Sequence, residues 1–370
     1  MKKEIYDVIV IGAGPAGSTA SKAAADQGLK VLMLDKEVFP RDKACGGYLS
    51  FKTIKLLGED LPVSIIQRKI YGVRLYGQND YFISKESLQM LGCIVRRQDF
   101  DCYLVDKAVK AGVQFIDGCE VKGIKIDINN YCVEVYAGNQ SYISKRAISA
   151  EGVNSFILRN IGYQRERRRW QYGFALAGSI ECSPVCSDDK YVELYCIPFL
   201  GGFGWVFPLR DTYNIGVGCW ACLSHKLYDY YFDFAENILK NKNIKGIVSK
   251  PQGSFIPVGG LLRNLGNDYI IAAGDSGGFV DAFSGEGIYY AIKSGQIAAG
   301  EIVKSLSDNE YPLYLQYKRE CGREFNKSFY YSIFKVLLSG KKKTITADRK
   351  KAEHLMNQIM AFMLNGHWHS

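Results

Sequence analysis

This chain of 370 residues has no long apolar run and no recognisable spacing of metal ligands. No stretch approaches the about 18 consecutive apolar residues of a membrane-spanning helix, so any membrane contact is expected to be peripheral. The start, Met1-Lys2-Lys3, is followed by only a few apolar residues before glycine, which is typical of neither a signal peptide nor a membrane span. Internal repeats and low-complexity tracts are also absent, which argues against solenoid and fibrous proteins.

The composition is that of an ordinary globular protein. Apolar residues make up 47% of the chain and charged residues 23%, which does not indicate disorder. The 25 tyrosines and 19 phenylalanines offer aromatic surface for a large, apolar or planar ligand. Eleven cysteines without a secretory leader predict reduced thiols in a cytosolic compartment rather than a disulfide framework.

The net charge of +9 is concentrated in two runs, Arg165 to Arg169 and Lys341 to Lys351. Neither run contains the interleaved aromatic residues of a base-stacking surface, and we predict no nucleic-acid partner. A plain solvated face is one interpretation of each run. The other is contact with an anionic membrane surface or an acidic redox partner.

The organisation of the chain predicts two domains that are interleaved along the sequence. Residues 5–11, 16–27 and 30–34 have the pattern of a strand, a helix and a second strand. Residues 165–260 are strand-rich and aromatic, and residues after 306 are helical in pattern. We predict an α/β fold, α+β overall, with a Rossmann-type cofactor domain, an antiparallel-sheet substrate domain and C-terminal helices. The predicted limits are 1–50, 97–160 and 265–305 for the cofactor domain, 51–96 and 161–264 for the substrate domain, and 306–370 for the helical region.

The segment 12–17 reads Gly-Ala-Gly-Pro-Ala-Gly and fits the dinucleotide-binding fingerprint. Gly12 permits a tight turn, Gly14 lets the backbone approach a pyrophosphate, and Gly17 lets the helix pack closely on the strand. The helix N-terminus then offers free N–H groups to the phosphates. Asp35, 18 residues beyond Gly17, is expected to accept the hydroxyls of the adenosine ribose, with Glu37 as the alternative.

A second glycine-rich segment predicts that the dinucleotide is FAD. Residues 272–279 read Ala-Ala-Gly-Asp-Ser-Gly-Gly-Phe, and residues 284–288 open a helix. Asp275 is expected to hold the ribityl chain, and the N–H groups from Gly285 to Ile288 to face the polar edge of the flavin ring. No second dinucleotide fingerprint exists in the chain, which argues against the disulfide reductases with separate flavin and nicotinamide domains.

Three further segments carry a resemblance to a known family. They are residues 41–47 (Arg-Asp-Lys-Ala-Cys-Gly-Gly), 97–101 (Arg-Gln-Asp-Phe-Asp) and 204–208 (Gly-Trp-Val-Phe-Pro). To about residue 300 the chain resembles the geranylgeranyl reductase family, within the flavoproteins of the p-hydroxybenzoate hydroxylase fold. The resemblance implies that Trp205 and Phe207 line a tunnel for a prenyl chain, and Phe203 is predicted to contact the substrate with them. Side chains at i and i+2 share one face of any strand, so packing in the core is the alternative for Trp205 and Phe207. It also implies that Cys45, Gly46 and Gly47 lie beside the flavin ring and that Arg97 contacts the cofactor. Packing of small residues is the alternative for Cys45. The full predicted set of cofactor residues is Gly12, Gly14, Pro15, Ala16, Gly17, Asp35, Lys36, Cys45, Gly46, Gly47, Arg97, Val121, Gly152, Gly274, Asp275, Gly285, Gly287 and Ile288.

The chain departs from the family pattern at a few positions. The family usually has Tyr where this chain has Phe203, and often Pro where it has Ala282, so active-site hydrogen bonds are expected to differ. Residues 151–155 (Glu-Gly-Val-Asn-Ser) are similar to the Asp-Gly motif of the hydroxylases, which touches both flavin and NADPH. Glu replaces Asp there, and Leu158 stands where Arg is common, which weakens a hydroxylase interpretation.

The resemblance implies an enzyme that reduces carbon–carbon double bonds of an isoprenoid or similar apolar substrate by hydride transfer from N5 of reduced FAD. NAD(P)H or a reduced ferredoxin is the expected electron donor. Cys45 or a bound water is the candidate proton donor. The expected location is cytoplasmic, with membrane association on the cytoplasmic face as an open alternative. Two other functions remain open, namely a flavin-dependent monooxygenase or halogenase on the same fold, and an electron-transfer flavoprotein.

Other small signals are interpreted as structural. Cys219 and Cys222 have redox spacing but follow a strand instead of opening a helix, so they are expected to be structural thiols, as are Cys182 and Cys186. The histidines are expected to be exposed to solvent, and no metal is predicted. They are His225, His354, His367 and His369.

Overall fold

The computed structural model describes residues 4–58, 61–77, 82–162, 171–182, 189–199, 201–339 and 349–365, without the side chains of 330–339, 349 and 351. The basic run Arg165 to Arg169, Cys186, His367 and His369 lie outside these residues. Of the second basic run, Lys341 to Lys351, residues 341–348 also lie outside the described residues.

The secondary structure consists of short strands and eight α-helices in the described ranges. In chain order the strands are β1 (Ile5–Ile11), β2 (Val31–Leu34), β3 (Tyr48–Ser50), β4 (Ile66–Ile70), β5 (Gly72–Tyr76), β6 (Phe82–Glu86), β7 (Gly92–Val95), β8 (Gln114–Ile116), β9 (Val121–Asp127), β10 (Cys132–Ala137), β11 (Gln140–Ser149), β12 (Gly173–Glu181), β13 (Tyr191–Cys196), β14 (Phe203–Pro208), β15 (Thr212–Trp220), β16 (Ile247–Val248), β17 (Gln252–Ile256) and β18 (Ile270–Ala272). The α-helices are α1 (Pro15–Ala25), α2 (Phe51–Leu56), α3 (Arg97–Lys110), α4 (Ile157–Asn160), α5 (Leu227–Lys242), α6 (Ile288–Ser307), α7 (Leu313–Ser339) and α8 (Arg349–Asn365).

Contacts between residues divide the chain into two compact units. The first unit consists of Met1–Arg41, Gln98–Arg167 and Pro257–Tyr330. The second consists of Asp42–Arg97, Arg168–Ile256 and Tyr331–Ser370. The residues after 306 therefore belong partly to each unit. The domain limits given above for the sequence stay a prediction.

The first unit is built on a seven-stranded sheet of order β8-β2-β1-β11-β10-β9, with β18 pairing with β11. The pairs β8–β2, β2–β1, β1–β11 and β11–β18 are parallel. All four residues of β2 and most of β1 are buried, which is typical of parallel strands covered on both faces. Parallel pairing brings the carboxyl ends of β1, β2, β11 and β18 to one edge of the sheet. Strands β9, β10 and β11 are antiparallel to one another.

Helices α1 and α6 pack closely in the first unit because small residues meet where they touch. A Cβ on Gly295 of α6 would lie 2.4 Å from the carbonyl oxygen of Ala16 in α1. The Ser294 hydroxyl oxygen accepts the N–H of Gly274 at 2.9 Å, which ties α6 to the end of β18. On α7, the buried phenol of Tyr317 donates to the carbonyl of Ala272 at 2.6 Å. These contacts fix the helices at the carboxyl edge of the sheet.

The second unit contains an eight-stranded sheet of order β16-β12-β15-β14-β13-β5-β6, with β17 pairing with β12. All of its pairings are antiparallel except β13–β5. Along β14, Trp205 and Phe207 join one hydrophobic cluster and Val206 joins another, as the alternation of a strand requires. The cluster around Val206 includes residues of α5, and the cluster around Trp205 includes residues of α8.

The α/β fold predicted from the sequence is confirmed, with a parallel cofactor-type sheet, an antiparallel sheet and C-terminal helices. The three-stranded sheet β3-β7-β4 and strands β5, β6, β12 and β17 were not predicted. In the described part of the chain, no helix combines the length and apolarity needed to cross a bilayer.

Candidate cofactor and substrate sites

The carboxyl edge of the parallel strands in the first unit carries both glycine-rich segments. Gly12 follows β1, and a Cβ on Gly12 would lie 2.3 Å from the carbonyl oxygen of Ala150, which follows β11. Gly274 follows β18, and a Cβ on it would lie 2.9 Å from the Cβ of Ala16. The structure therefore brings the segment 12–17 together with the segment that begins at 272. Ligands of open α/β sheets bind at this edge.

Each glycine of the fingerprint is required for a different structural reason. Gly12 has a φ of +101°, which disfavours any side chain. A Cβ on Gly17 would lie 1.7 Å from the carbonyl oxygen of Gly12, so the first turn of α1 can pack on β1 only without a side chain. A Cβ on Gly14 would meet only the Arg41 guanidinium, at 3.4 Å. Gly14, the N-cap of α1 with Pro15 following it, therefore leaves an open cradle beside backbone N–H groups and a cation. This cradle fits a pyrophosphate.

Asp35 lies at the end of β2 and is 8% exposed. Its two carboxylate oxygens accept the N–H groups of Ala13 at 2.6 Å and Glu37 at 2.9 Å. A carboxylate has lone pairs beyond these two bonds, so it retains capacity to accept ribose hydroxyls. The side chains of Lys36 and Glu37 are 66% and 54% exposed and lie 3.7 Å apart, which leaves Asp35 as the better-placed acceptor.

An ion pair that the sequence did not predict lies beside this cradle. The Arg41 guanidinium contacts the fully buried carboxylate of Asp101 at 3.1 Å, and the Arg41 side chain is 13% exposed. Asp101 lies in α3, in the same unit. The pair holds a guanidinium against Gly14, where it would complement the negative charge of a bound phosphate. The two residues are far apart in sequence, and neither belongs to the fingerprint.

The second glycine-rich segment brings Asp275 to the start of α6. A Cβ on Gly287, the N-cap of α6, would lie 3.5 Å from a carboxylate oxygen of Asp275. The loop before α6 is held by the buried Asp281, whose carboxylate accepts the N–H and hydroxyl of Ser284, each at 2.8 Å. Gly285 in this loop has a φ of +70°. The structure thus places Asp275 with Gly287 and Ile288, and these groups fit the polar atoms of a ribityl chain and a flavin ring.

The segment that resembles the hydroxylase motif lies at the end of β11. The Glu151 carboxylate accepts the hydroxyls of Ser149 and Ser155, both at 2.8 Å, and N–H groups at the start of α4. Glu151 is therefore engaged within the unit. Gly152 has a φ of +81° with open space around it, and its carbonyl accepts the Ser276 hydroxyl at 3.1 Å. Gly152 thus lies next to the Asp275 segment.

For two predicted cofactor residues, the position in the structure does not indicate contact with a ligand. Val121 begins β9 and is buried in the core cluster that contains Ile11 and Leu34. Arg97 begins α3, is 7% exposed, and is the last residue of its stretch of the second unit. Their contact with a cofactor stays a prediction.

In the second unit, the three aromatic residues predicted to face a substrate lie on one face of β14. The rings of Phe203 and Trp205 stack with centroids 5.7 Å apart, and those of Trp205 and Phe207 are 6.3 Å apart. Trp205 is 6% exposed and Phe207 9%. We call these three residues the aromatic wall. Such an apolar, aromatic surface suits a hydrocarbon chain.

Glycines of the neighbouring strand β15 support the aromatic wall. A Cβ on Gly216 would lie 2.0 Å from the Trp205 indole, and a Cβ on Gly218 would lie 2.7 Å from the Phe203 ring. The rings can lie flat on β15 only because these positions lack side chains. The alternation of glycines in Asn214-Ile-Gly-Val-Gly is a signal that sequence reasoning missed.

The segment Cys45-Gly46-Gly47 packs against the aromatic wall. A Cβ on Gly46 would lie 2.7 Å from the Phe207 ring and 3.2 Å from the Trp205 indole nitrogen. Gly47 has a φ of +71°, and its N–H donates to the Cys45 sulfur at 3.4 Å. The structure therefore brings the three residues of this segment together with Trp205 and Phe207, all within the second unit.

Helix α8 also reaches the face of the sheet that carries the aromatic wall, which the sequence did not predict. Met356, Ile359, Met360 and Met363 are buried in the hydrophobic cluster that contains Trp205 and Phe207. Methionine side chains are flexible and fill irregular apolar space. The apolar surroundings of the wall are thus partly built by residues more than a hundred positions later in the chain.

The cysteines in the described ranges are free thiols, and no cluster of three potential metal ligands occurs there. Cys219 is buried at the end of β15, where burial raises the pKa of its thiol to about 11. Cys222 is exposed in the 3-10 helix Ala221–Lys226. Cys182 is buried, and burial raises the pKa of its thiol as well.

The comparisons with known proteins agree with this geometry. A family model described as "FAD binding domain" matches residues 5–219. The digeranylgeranylglycerophospholipid reductase of Methanococcus vannielii is 30% identical over 317 residues, which cover 84% of this chain and 80% of that protein. A geranylgeranyl bacteriochlorophyll reductase-like protein from Thermoplasma acidophilum has a TM-score of 0.84 at 24% identity, over 97% of this chain and 92% of that one.

A flavin-dependent brominase is also similar in structure, with a TM-score of 0.75 at 20% identity over 99% of this chain and 96% of that one. At these identities the likeness to solved structures establishes the fold, which is p-hydroxybenzoate hydroxylase-like. The family match and the curated relative go further, and they confirm the resemblance seen in the sequence. The chain belongs to the geranylgeranyl reductase family of FAD-binding flavoproteins.

Proposed function

We propose that this chain is an FAD-dependent reductase that saturates carbon–carbon double bonds of an isoprenoid or a similarly apolar chain. The observation that carries the proposal is the aromatic wall with Gly46 packed directly on it. The family supports it, since the Methanococcus vannielii relative is named a digeranylgeranylglycerophospholipid reductase.

The proposal assigns the adenosine end of FAD to the cradle at Gly14 and to Asp35, with the Arg41–Asp101 pair beside the phosphates. It assigns the ribityl chain to Asp275 and the polar edge of the flavin ring to the start of α6. The flavin ring is assigned to Cys45, Gly46, Gly47 and Arg97. The remaining proposed contacts are Gly12, Pro15, Ala16, Gly17, Lys36, Val121, Gly152, Gly274, Gly285, Gly287 and Ile288.

Reduced FAD, when bound, supplies a hydride from N5 of its ring. The alkene gains this hydride at one carbon and a proton at the other, so it is reduced by two electrons. An unactivated double bond has no carbonyl for the protein to polarise, so alignment and exclusion of water are the contributions expected of Phe203, Trp205 and Phe207.

The Cys45 sulfur accepts the N–H of Gly47 with a lone pair and keeps its S–H to donate. Cys45 is the proposed proton donor, with a bound water as the alternative. Cys45→Ala separates them, since only a water donor would leave kcat unchanged.

The proposed electron donor is NAD(P)H or a reduced ferredoxin. The net charge of +9 suits an acidic ferredoxin, whose association rate would fall steeply as salt is added. Reduction of the bound flavin by each donor, measured by stopped flow at low and high salt, distinguishes the two.

We also propose a cytoplasmic location with peripheral membrane contact. Sedimentation with vesicles of anionic and neutral lipid tests that contact.

The central test starts from anaerobically photoreduced holoenzyme. The sample is exposed separately to a prenyl lipid and to oxygen, and the return of oxidised flavin absorbance is followed. Reoxidation triggered by the lipid, with product heavier by two hydrogens per reduced bond, supports the proposal. Reoxidation by oxygen alone with an oxygenated or halogenated product would establish a monooxygenase or halogenase instead. Reoxidation only by a protein or quinone acceptor would establish an electron-transfer flavoprotein.

A further inference from the structure

Asn214 links two parts of the proposed site in the second unit. It lies in β15 opposite Phe207 of β14 and is partly buried. Its side-chain oxygen accepts the indole N–H of Trp205 at 2.7 Å. Its side-chain nitrogen donates to the backbone carbonyl of Cys45 at 3.0 Å. One amide therefore joins the aromatic wall to the Cys45-Gly46-Gly47 segment.

The chemistry of the two partners fixes the orientation of this amide. An indole N–H can only donate, and a backbone carbonyl can only accept. The reverse orientation of Asn214 would place two donors together at Trp205 and two acceptors together at Cys45. A carboxylate could accept from Trp205 but would repel the Cys45 carbonyl, and an apolar side chain could serve neither partner. An amide at this position satisfies both groups.

The segment is held at both of its ends. Beyond Cys45, the carbonyl of Gly47 accepts the N–H of Val95 at 2.9 Å, which ties the segment to β7. Between these two bonds Gly46 lies directly against the Phe207 ring and the Trp205 indole. The bond to Val95 fixes the glycine end, and the bond from Asn214 fixes the cysteine end.

We propose that Asn214 is a positioning residue, which sets the Cys45 segment against the aromatic wall and orients the Trp205 indole at the same time. This inference rests on the proposed function and deepens it. In that function the aromatic wall holds the alkene and Cys45 delivers the proton, and Asn214 would keep the two at a fixed distance and orientation. Asn214 itself touches neither the flavin nor the alkene in this assignment.

The test measures the alkylation rate of Cys45 by a maleimide, mapped by peptide mass spectrometry on the full-length protein, with the exposed thiol of Cys222 as an internal reference. We expect Asn214→Leu and Asn214→Asp to raise the Cys45 rate relative to Cys222 about five- to tenfold, the effect of losing one hydrogen bond from a local opening equilibrium. Asn237→Asp, at an exposed position of α5, is the matched control and should leave the ratio unchanged.

An unchanged Cys45 rate in a folded Asn214→Leu protein would overturn the proposal. If that variant does not unfold cooperatively, the nearly isosteric Asn214→Asp replaces it, and an unchanged Cys45 rate in that variant overturns the proposal equally. Trp205→Phe removes only the indole N–H from the chain of hydrogen bonds, so its effect combined with Asn214→Leu should be less than additive. The alkylation measurement needs neither FAD nor lipid. A chain that fails to reduce isoprenoids can therefore still show the predicted rate change, and the two proposals fail separately.

Discussion

At the scale of single residues, Gly46 determines how closely the Cys45 segment approaches the aromatic wall. A Cβ at this position would lie 2.7 Å from the Phe207 ring, and that ring is buried and cannot withdraw freely. We expect Gly46→Ala to lower the free energy of unfolding by about 1–3 kcal/mol, as other overpacking substitutions do. Urea denaturation of the variant and the parent chain measures the difference.

The matched control for Gly46→Ala is Gly300→Ala in α6. A Cβ on Gly300 meets nothing within 4 Å, and replacement of a helical glycine by alanine should stabilise the protein by about 0.5–1 kcal/mol. If Gly46→Ala proved as harmless as Gly300→Ala, the close contact of Gly46 with Phe207 would be refuted.

Tyr231 couples the stability of the second unit to alkaline pH. Its side chain is fully buried in α5, its hydroxyl donates to the carbonyl of Ser249 at 3.3 Å, and burial raises its pKa from 10.0 to about 12. Above pH 10 the unfolded chain releases this proton more readily than the folded one, so stability falls as pH rises from about 10 to about 12. The loss from this group is about 2–3 kcal/mol. Tyr231→Phe should flatten the fall in unfolding free energy over this range. Ile238→Val, which removes a buried methyl group but no phenol from the same helix, should lower the unfolding free energy without changing this slope.

Some residues of the site could be predicted individually and others could not. Gly12, Gly14, Gly17 and Asp35 follow from local sequence because a βαβ unit fixes their positions relative to each other. Arg41 and Asp101 each lie in a segment that carries the family resemblance. Their pairing depends on α3 packing next to the fingerprint, which neither segment shows by itself. Asn214 was missed for the same reason, since its two partners lie on another strand and in a distant loop.

At the scale of elements, the predicted strands and helices of the cofactor region agree with the structure to within a few residues. The strand at 5–11 coincides with β1, and the helix at 16–27 corresponds to α1 at Pro15–Ala25. Long apolar runs and sustained periodicity explain this agreement. The sheet β3-β7-β4 consists of strands of three to five residues that pair across long sequence distances, so no run is long enough to show a pattern.

Helix α8 provides the clearest prediction at this scale. Met360 is 8% exposed in the cluster that contains Trp205 and Phe207, although it belongs to the last helix of the described residues. We expect Met360→Ala to lower the free energy of unfolding by about 2–4 kcal/mol through lost burial and the cavity it leaves. Asn365→Ala, at the exposed last residue of the same helix, should change it by less than about 0.5 kcal/mol. Equal effects of the two substitutions in urea denaturation would contradict the packing of α8 on this cluster.

At the scale of the whole molecule, the cofactor could be predicted because two segments 260 residues apart carry complementary patterns, at Gly12 and Ala272. Parallel pairing of β1 with β11 and of β11 with β18 brings both segments to one edge. The division of the chain was less predictable. Each unit takes three stretches of sequence, and their limits fall inside ordinary segments, as at Arg41 and Asp42 in the middle of a motif. Composition does not change at such a limit.

Binding of FAD to this edge should stabilise the whole molecule in proportion to its concentration. At a free FAD concentration of about 100 times Kd, the free energy of unfolding rises by about 2.7 kcal/mol. Substitutions at Gly14 and Gly17 distinguish a loss of FAD binding from a loss of stability of the fold itself. A Cβ on Gly14 meets only a guanidinium at 3.4 Å, so Gly14→Ala should fold with a loss of about 1 kcal/mol or less, yet occupy the cradle proposed for the pyrophosphate.

Gly14→Ala should therefore lose most of the FAD-dependent stabilisation while keeping its stability without FAD. In contrast, a Cβ on Gly17 would lie 1.7 Å from a backbone oxygen, so Gly17→Ala should cost about 3 kcal/mol or more even without FAD. Thermal unfolding over a series of FAD concentrations gives both quantities for each variant. A ligand whose phosphates approach the backbone at Gly14 cannot share that space with a methyl group. Full FAD-dependent stabilisation of Gly14→Ala would therefore show that the pyrophosphate does not bind in this cradle.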